Sequence, residues 1–173
     1  LKKPDRKQGI QLPEISCDLT VEAPSDYDVE IKNSFGGVLV TELDADLEVE
    51  NAHGEVEVEK VTGSVLLKNQ FSGVSVGEVL GDLKIKVAHG DVQVKSAGAA
   101  LEVHNSFGDT SIRDVSGDLS VSSNNGEVKV DSVKGAVRVS SKFGDTSIGN
   151  VGGDLSVSSN NGEVKVDSVK GAV

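Results

Sequence analysis

The chain has 173 residues, and 28 acidic against 17 basic side chains leave it at −11. With 26% charged and 36% apolar residues it reads as a folded, water-facing domain and not as a disordered chain. No stretch approaches the roughly 18 apolar residues of a membrane-spanning helix, and nucleic acid is a poor partner because phosphate affinity comes from clustered Lys and Arg.

Residues 1–28 hold Pro4, Pro13 and Pro24 and the alternation Ile15-Ser16-Cys17-Asp18-Leu19-Thr20-Val21. That pattern predicts a tail, a lead-in strand and an N-terminal cap, which would block edge pairing at that end of the domain. Lys2, Lys3, Arg6 and Lys7 make the tail basic. Such a tail suits an anionic surface or an acidic coil of a neighbour, beside the plainer reading of a solvated terminus. Cys17 has no second cysteine to pair with, so it leaves the redox compartment unread. A start at Leu1 in place of Met implies processing or trimming.

From Val29 onward the chain repeats. Phe35, Phe71, Phe107 and Phe143 are each 36 residues apart, and Asp46, Asp82, Asp118 and Asp154 keep the same step. Inside each 36 lies a period of 18, with units starting at Val29, Leu47, Val65, Leu83, Leu101, Leu119, Val137 and Leu155. Eight units run from 29 to 172 without an insertion or deletion. Aromatic content of 3%, no Trp or Met, and 29 valines build the core from small β-branched side chains, which favours strands.

Apolar residues fall at positions one and three of each unit, and again at ten and twelve, with polar residues between them. Leu47-Glu48-Val49-Glu50 and Glu55-Val56-Glu57-Val58 show this two-residue period of a half-buried strand. A glycine turn separates the strands at position eight, where Ser72 is the exception, and position fifteen adds a further apolar contact. Three apolar sides joined by three corners are expected, one coil per unit. One such coil cannot bury its own apolar face, so stability must accumulate by stacking. The prediction is an all-β, parallel β-solenoid (β-helix) of about eight 18-residue coils in 36-residue double repeats over residues 29–173. Inward positions at one, three, ten, twelve and fifteen do not match the six-residue spacing of the left-handed hexapeptide helix, which argues for a right-handed coil.

The segments Asn33-Ser34-Phe35-Gly36-Gly37-Val38, Glu50-Asn51-Ala52-His53-Gly54-Glu55-Val56 and Gly117-Asp118-Leu119 carry a resemblance. Over about residues 10–173 the chain resembles the bacterial adhesin-like β-strand-repeat domains, which are related to toastrack solenoids of envelope proteins. The resemblance implies a right-handed solenoid, an extracytoplasmic setting at a cell surface or secreted, and adhesion or envelope signalling. It attaches no catalytic residues. One departure is that residues 107–137 and 143–173 differ only at Arg113/Gly149, Asp114/Asn150 and Ser116/Gly152. Recent duplication and deliberate repeat engineering both account for that. The chain ends in Gly171-Ala172-Val173, opening a ninth coil without a cap, which predicts either a longer protein or pairing of the final edge with another copy.

Several columns are candidates for function. Position five holds Asn33, Asn51, Asn69, Val87, Asn105, Ser123, Ser141 and Ser159, an inward corner suited to a structural amide ladder. Position seven holds Phe35, His53, Phe71, His89, Phe107, Asn125, Phe143 and Asn161. Its phenylalanines pack a corner or form an exposed interaction stripe, with imidazole and amide groups filling the gaps. Position nine carries Asp91, Asp109, Glu127, Asp145 and Glu163. Bonding to turn amides is the plain reading of that column and calcium bridging the sharper one, although the Gly-Gly-x-Gly-x-Asp calcium repeat is missing. His53 and His89 lie two coils apart, too far for shared zinc, and His104 falls elsewhere in the coil. No metal or other cofactor is expected.

A uniform unit leaves no long loops to wall a catalytic cleft, so an enzyme is not expected. The reading is a non-enzymatic, adhesin-like extracytoplasmic rod that meets protein or glycan at a cell surface. Its rivals are a self-assembling or repeat-engineered scaffold and a ligand-sensing domain of an envelope-stress protein.

Overall fold

A computed structural model describes residues 26–173. The tail, lead-in strand and cap expected over residues 1–28 fall almost wholly outside the described residues, as does Cys17. From Val29 the chain alternates two strands per coil, beginning with β1 (Val29–Phe35) and β2 (Val38–Leu43). It ends with β15 (Leu155–Asn161) and β16 (Val164–Val169). The first strands of all coils form one eight-stranded parallel sheet and the second strands form another. Each strand pairs with the strand 18 residues further on: Val29 lies beside Leu47, Val38 beside Val56, and Val56 beside Val74. The fold is therefore a β-solenoid of eight coils, roughly 35–40 Å long at about 4.8 Å per coil.

Side-chain alternation places the core as the periodicity predicted. Val49, Val58, Leu67, Val76, Ile85 and Val103 are completely buried, each stacked on its equivalent in the next coil. The two sheets enclose one continuous apolar column, so no coil has a core of its own.

One expectation needs correcting. Position fifteen is the end of the second strand and not a third side of the coil. Strict alternation from position twelve would turn fourteen inward, yet Leu43, Val61 and Val79 at fifteen are the buried residues. The ladder skips position thirteen in most coils, as at Arg113 and Asp131, and this break, shared by neighbouring coils with the register kept, shifts the side-chain parity by one. In the first two coils Glu42 and Lys60, at position fourteen, take left-handed φ values of 59° and 55°.

The turns at position eight have a stricter cause. Gly54 has φ of 113°, and a Cβ there would sit 2.2 Å from the carbonyl oxygen of Gly36 one coil earlier. Ser72 adopts the same turn at φ 97°, a conformation that strains a residue with a side chain.

Burial sets the ranking of two substitutions. Val76→Asp puts an unpaired charge into the dry column and should cost more than about 4 kcal/mol, whereas Glu57→Lys on the wet face should stay within about 0.5 kcal/mol. Urea unfolding followed by circular dichroism reads both, and the reverse order would mean the inward set is misassigned.

Candidate functional site

Three columns meet near the first corner, and each arises from the rule that a residue stacks on its counterpart 18 positions away. At position seven the strand ends and pairing is interrupted at position six, which turns the ring outward. Phe35, His53, Phe71, His89 and Phe107 form an unbroken pile of five rings. Successive centroids are 5.1, 4.8, 5.4 and 4.9 Å apart, with interplanar angles of 10° or less. The imidazoles fill the gaps that would otherwise separate phenylalanines by about 9.6 Å. The pile is not sunk in a corner: Phe35 is 59% exposed, Phe71 44% and Phe107 49%. Phe143 stands outside it between Asn125 and Asn161, and is 54% exposed. Because the ring faces are taken by neighbouring rings, the stripe offers solvent a row of ring edges.

Position five lies directly behind this stripe. Asn51, Asn69 and Asn105 are buried, and their amides do not bond to one another along the axis. Each donates from Nδ2 to turn carbonyls at position eight. Asn105 reaches Gly108 O at 2.9 Å in its own coil and Gly90 O at 3.1 Å in the coil before. Asn69 likewise reaches Ser72 O at 3.0 Å and Gly54 O at 3.1 Å, while Asn33 among the described residues reaches Gly36 O. Asn51, Asn69 and Asn105 thus each tie two consecutive turns together. Val87 breaks the column in coil four, and Ser123, Ser141 and Ser159 replace it in coils six to eight. There the hydroxyls are buried with no hydrogen-bond partner among the described residues, as are the Oδ1 atoms of Asn51, Asn69 and Asn105.

The carboxylates of position nine divide into two kinds. Asp91, Asp109 and Asp145 each accept the backbone N–H of the acidic residue one coil later, at 2.8 Å. Glu127 and Glu163 instead face Lys129 and Lys165 at 3.6 and 3.4 Å. Among the described residues no three His, Cys, Asp or Glu side chains converge as a metal site would require. His104 is on the outer face beside Glu102, and the Lys84 ammonium together with His104 holds that carboxyl below its ordinary range.

A second Asp column carries a role that periodicity did not assign to it. At position eighteen, Asp46 accepts the N–H of Ser64 at 2.7 Å, Asp118 that of Ala136 at 2.8 Å, and Asp154 that of Ala172 at 2.9 Å. Its signal was present as the strict alternation of Asp with Ser or Ala in successive coils. Beside this column a groove of about 1340 Å³ runs along the rod, between position eighteen and the outward side chains of position two.

The family model described as Toastrack DUF4097 matches residues 8–136 and again 68–172, overlapping placements of the kind an internally repeated chain produces. The chain belongs to the Toastrack DUF4097 family. Membership agrees with the stacked parallel coils and brings no assigned activity with it. No curated protein and no solved structure matches this toastrack chain.

The amide-to-turn bonds make one test sharp. Asn105→Ala strips two part-buried turn carbonyls of their donor and should cost about 2 kcal/mol, while Asn33→Ala, which loses one such bond among the described residues, should cost about half of that. Equal losses in urea unfolding would show that the cross-coil bond contributes nothing.

Proposed function

We propose that this toastrack chain is a non-catalytic interaction module, a stiff adhesin-like rod displayed outside the cytoplasm that meets a partner through its aromatic stripe. The observation that carries the reading is the five-ring pile, whose phenylalanines remain about half exposed although the fold has apolar columns in which to bury them. Exposed apolar area arranged in one line marks a contact surface more often than scattered single residues do. Its geometry favours protein over glycan. Sugars stack on aromatic faces, and here those faces are covered by the adjacent rings. Ring edges carry the positive rim of the quadrupole and suit carbonyl oxygens, carboxylates and the faces of a partner's own aromatic residues.

Replacing Phe71 and Phe107 together by Ala should abolish partner capture on protein arrays while circular dichroism stays unchanged. Retained binding, or capture by neutral glycans alone, would remove the stripe from the account.

A further inference from the structure

The amide column of position five ends at Asn105, and the corner of coil seven has to be held in another way. Coil five supplies the comparison. There the Asn105 Nδ2 group donates to Gly90 O at 3.1 Å and Gly108 O at 2.9 Å, with Thr110 Oγ1 at 3.4 Å. Coil seven repeats that corner, with Phe143-Gly144-Asp145-Thr146 standing for Phe107-Gly108-Asp109-Thr110, but Ser141 takes the place of Asn105. Ser141 and Thr146 are buried, at 2% and 1% exposure, and neither hydroxyl has a hydrogen-bond partner among the described residues. A serine oxygen stands one bond closer to Cβ than an asparagine amide nitrogen, so Ser141 falls short of the turn.

Neighbouring coils do not make up the loss. In coil four Val87 is harmless, because Asn69 reaches Ser72 O and Asn105 reaches Gly90 O. Gly126 O and Gly144 O, by contrast, have serine at position five on both sides, as Ser123, Ser141 and Ser159. Asn125 and Asn161 direct their amides to Ser106 O and Lys142 O instead. Two carbonyl oxygens, which only accept, and two hydroxyls, which donate and accept, therefore surround the point that the amide nitrogen holds in coil five. We propose that a resident water molecule binds at this point in coil seven, donating to Gly126 O and Gly144 O and accepting from the Ser141 and Thr146 hydroxyls. Such a set of partners is what a buried water takes, and buried hydroxyls in folded proteins are paired. The water makes between the turns of coils six and seven the tie that Asn105 makes between those of coils four and five. A cation fits less well, because no carboxylate is among the four oxygens and an unpaired buried charge is costly.

The test compares the full chain with Ser141→Asn, which restores the arrangement of coil five. Magnetic relaxation dispersion of water counts long-lived internal waters in solution, and crystal structures of the two proteins locate them. The parent should show a water about 2.7–3.2 Å from the four oxygens, and the variant should put its own Nδ2 there and lose one long-lived water. Exchanging an immobilised water for an attached donor should raise the folding equilibrium constant about fivefold in urea unfolding. Ser141→Val separates the water from plain packing. If this corner needed only apolar filling, the added methyl groups would stabilise the chain. With the water expelled and both carbonyls without a donor, the folding equilibrium constant should instead fall by about tenfold or more. An unchanged water count in Ser141→Asn, or a Val variant as stable as the parent, would overturn the proposal. So would a parent stability that differs between sodium and potassium at equal ionic strength, with the difference lost in Ser141→Asn, because that result would assign the point to a cation.

Discussion

Everything in this rod depends on one constraint: each residue hydrogen-bonds, in parallel register, beside the residue eighteen positions away. Parallel pairing at a fixed height of about 4.8 Å gives each side chain its own counterpart as axial neighbour. A residue type must therefore tolerate repetition along a line. Valine does so in the dry columns, where Val58 stacks on Val76 without a gap. Glycine does so at the first turn in every coil but that of Ser72, and a Cβ at Gly54 or Gly90 would collide with the carbonyl beneath it.

Polar residues meet the same constraint in a different way. Like charges at every coil would repel, and buried amides at every coil need partners. The chain answers by alternation and by tethering. Phe alternates with His in the ring pile, and Asp alternates with Ser or Ala at the closing corner. Carboxylates that do recur in adjacent coils, Asp91 and Asp109, are held by the backbone amides above them. Asn51, Asn69 and Asn105 connect turn carbonyls of neighbouring coils, and the last three coils give up that connection where serine takes their place.

Much of this was legible in the sequence because a solenoid writes its axial contacts as a period. The register, the number of coils, the inward valines and the pairing of aromatic with imidazole positions all come from counting in eighteens. What escaped is whatever breaks strict alternation. The break in pairing near position thirteen turns fifteen inward, and parity alone read that as a third side. Interrupted pairing at position six turns the rings outward, which periodicity cannot distinguish from a packed corner. The capping bonds of Asp118 and Asp154 escaped for another reason: the alternation of Asp with Ser or Ala marks the column, but the partners are backbone amides, which every residue except proline has, so the pattern does not name the bond. The groove beside them is a property of the bend between the strands and has no letter of its own.

The alternation of bulky with slight side chains at two corners also fixes how such a rod can lengthen. Excising a single eighteen-mer would bring two aspartates, or two phenylalanines, onto consecutive rungs, whereas removing or adding a doublet keeps the alternation at both corners. The near-identical stretches 107–137 and 143–173 are offset by one doublet. Length in this architecture changes in steps of about 9.6 Å if the alternation at those two corners is to be kept.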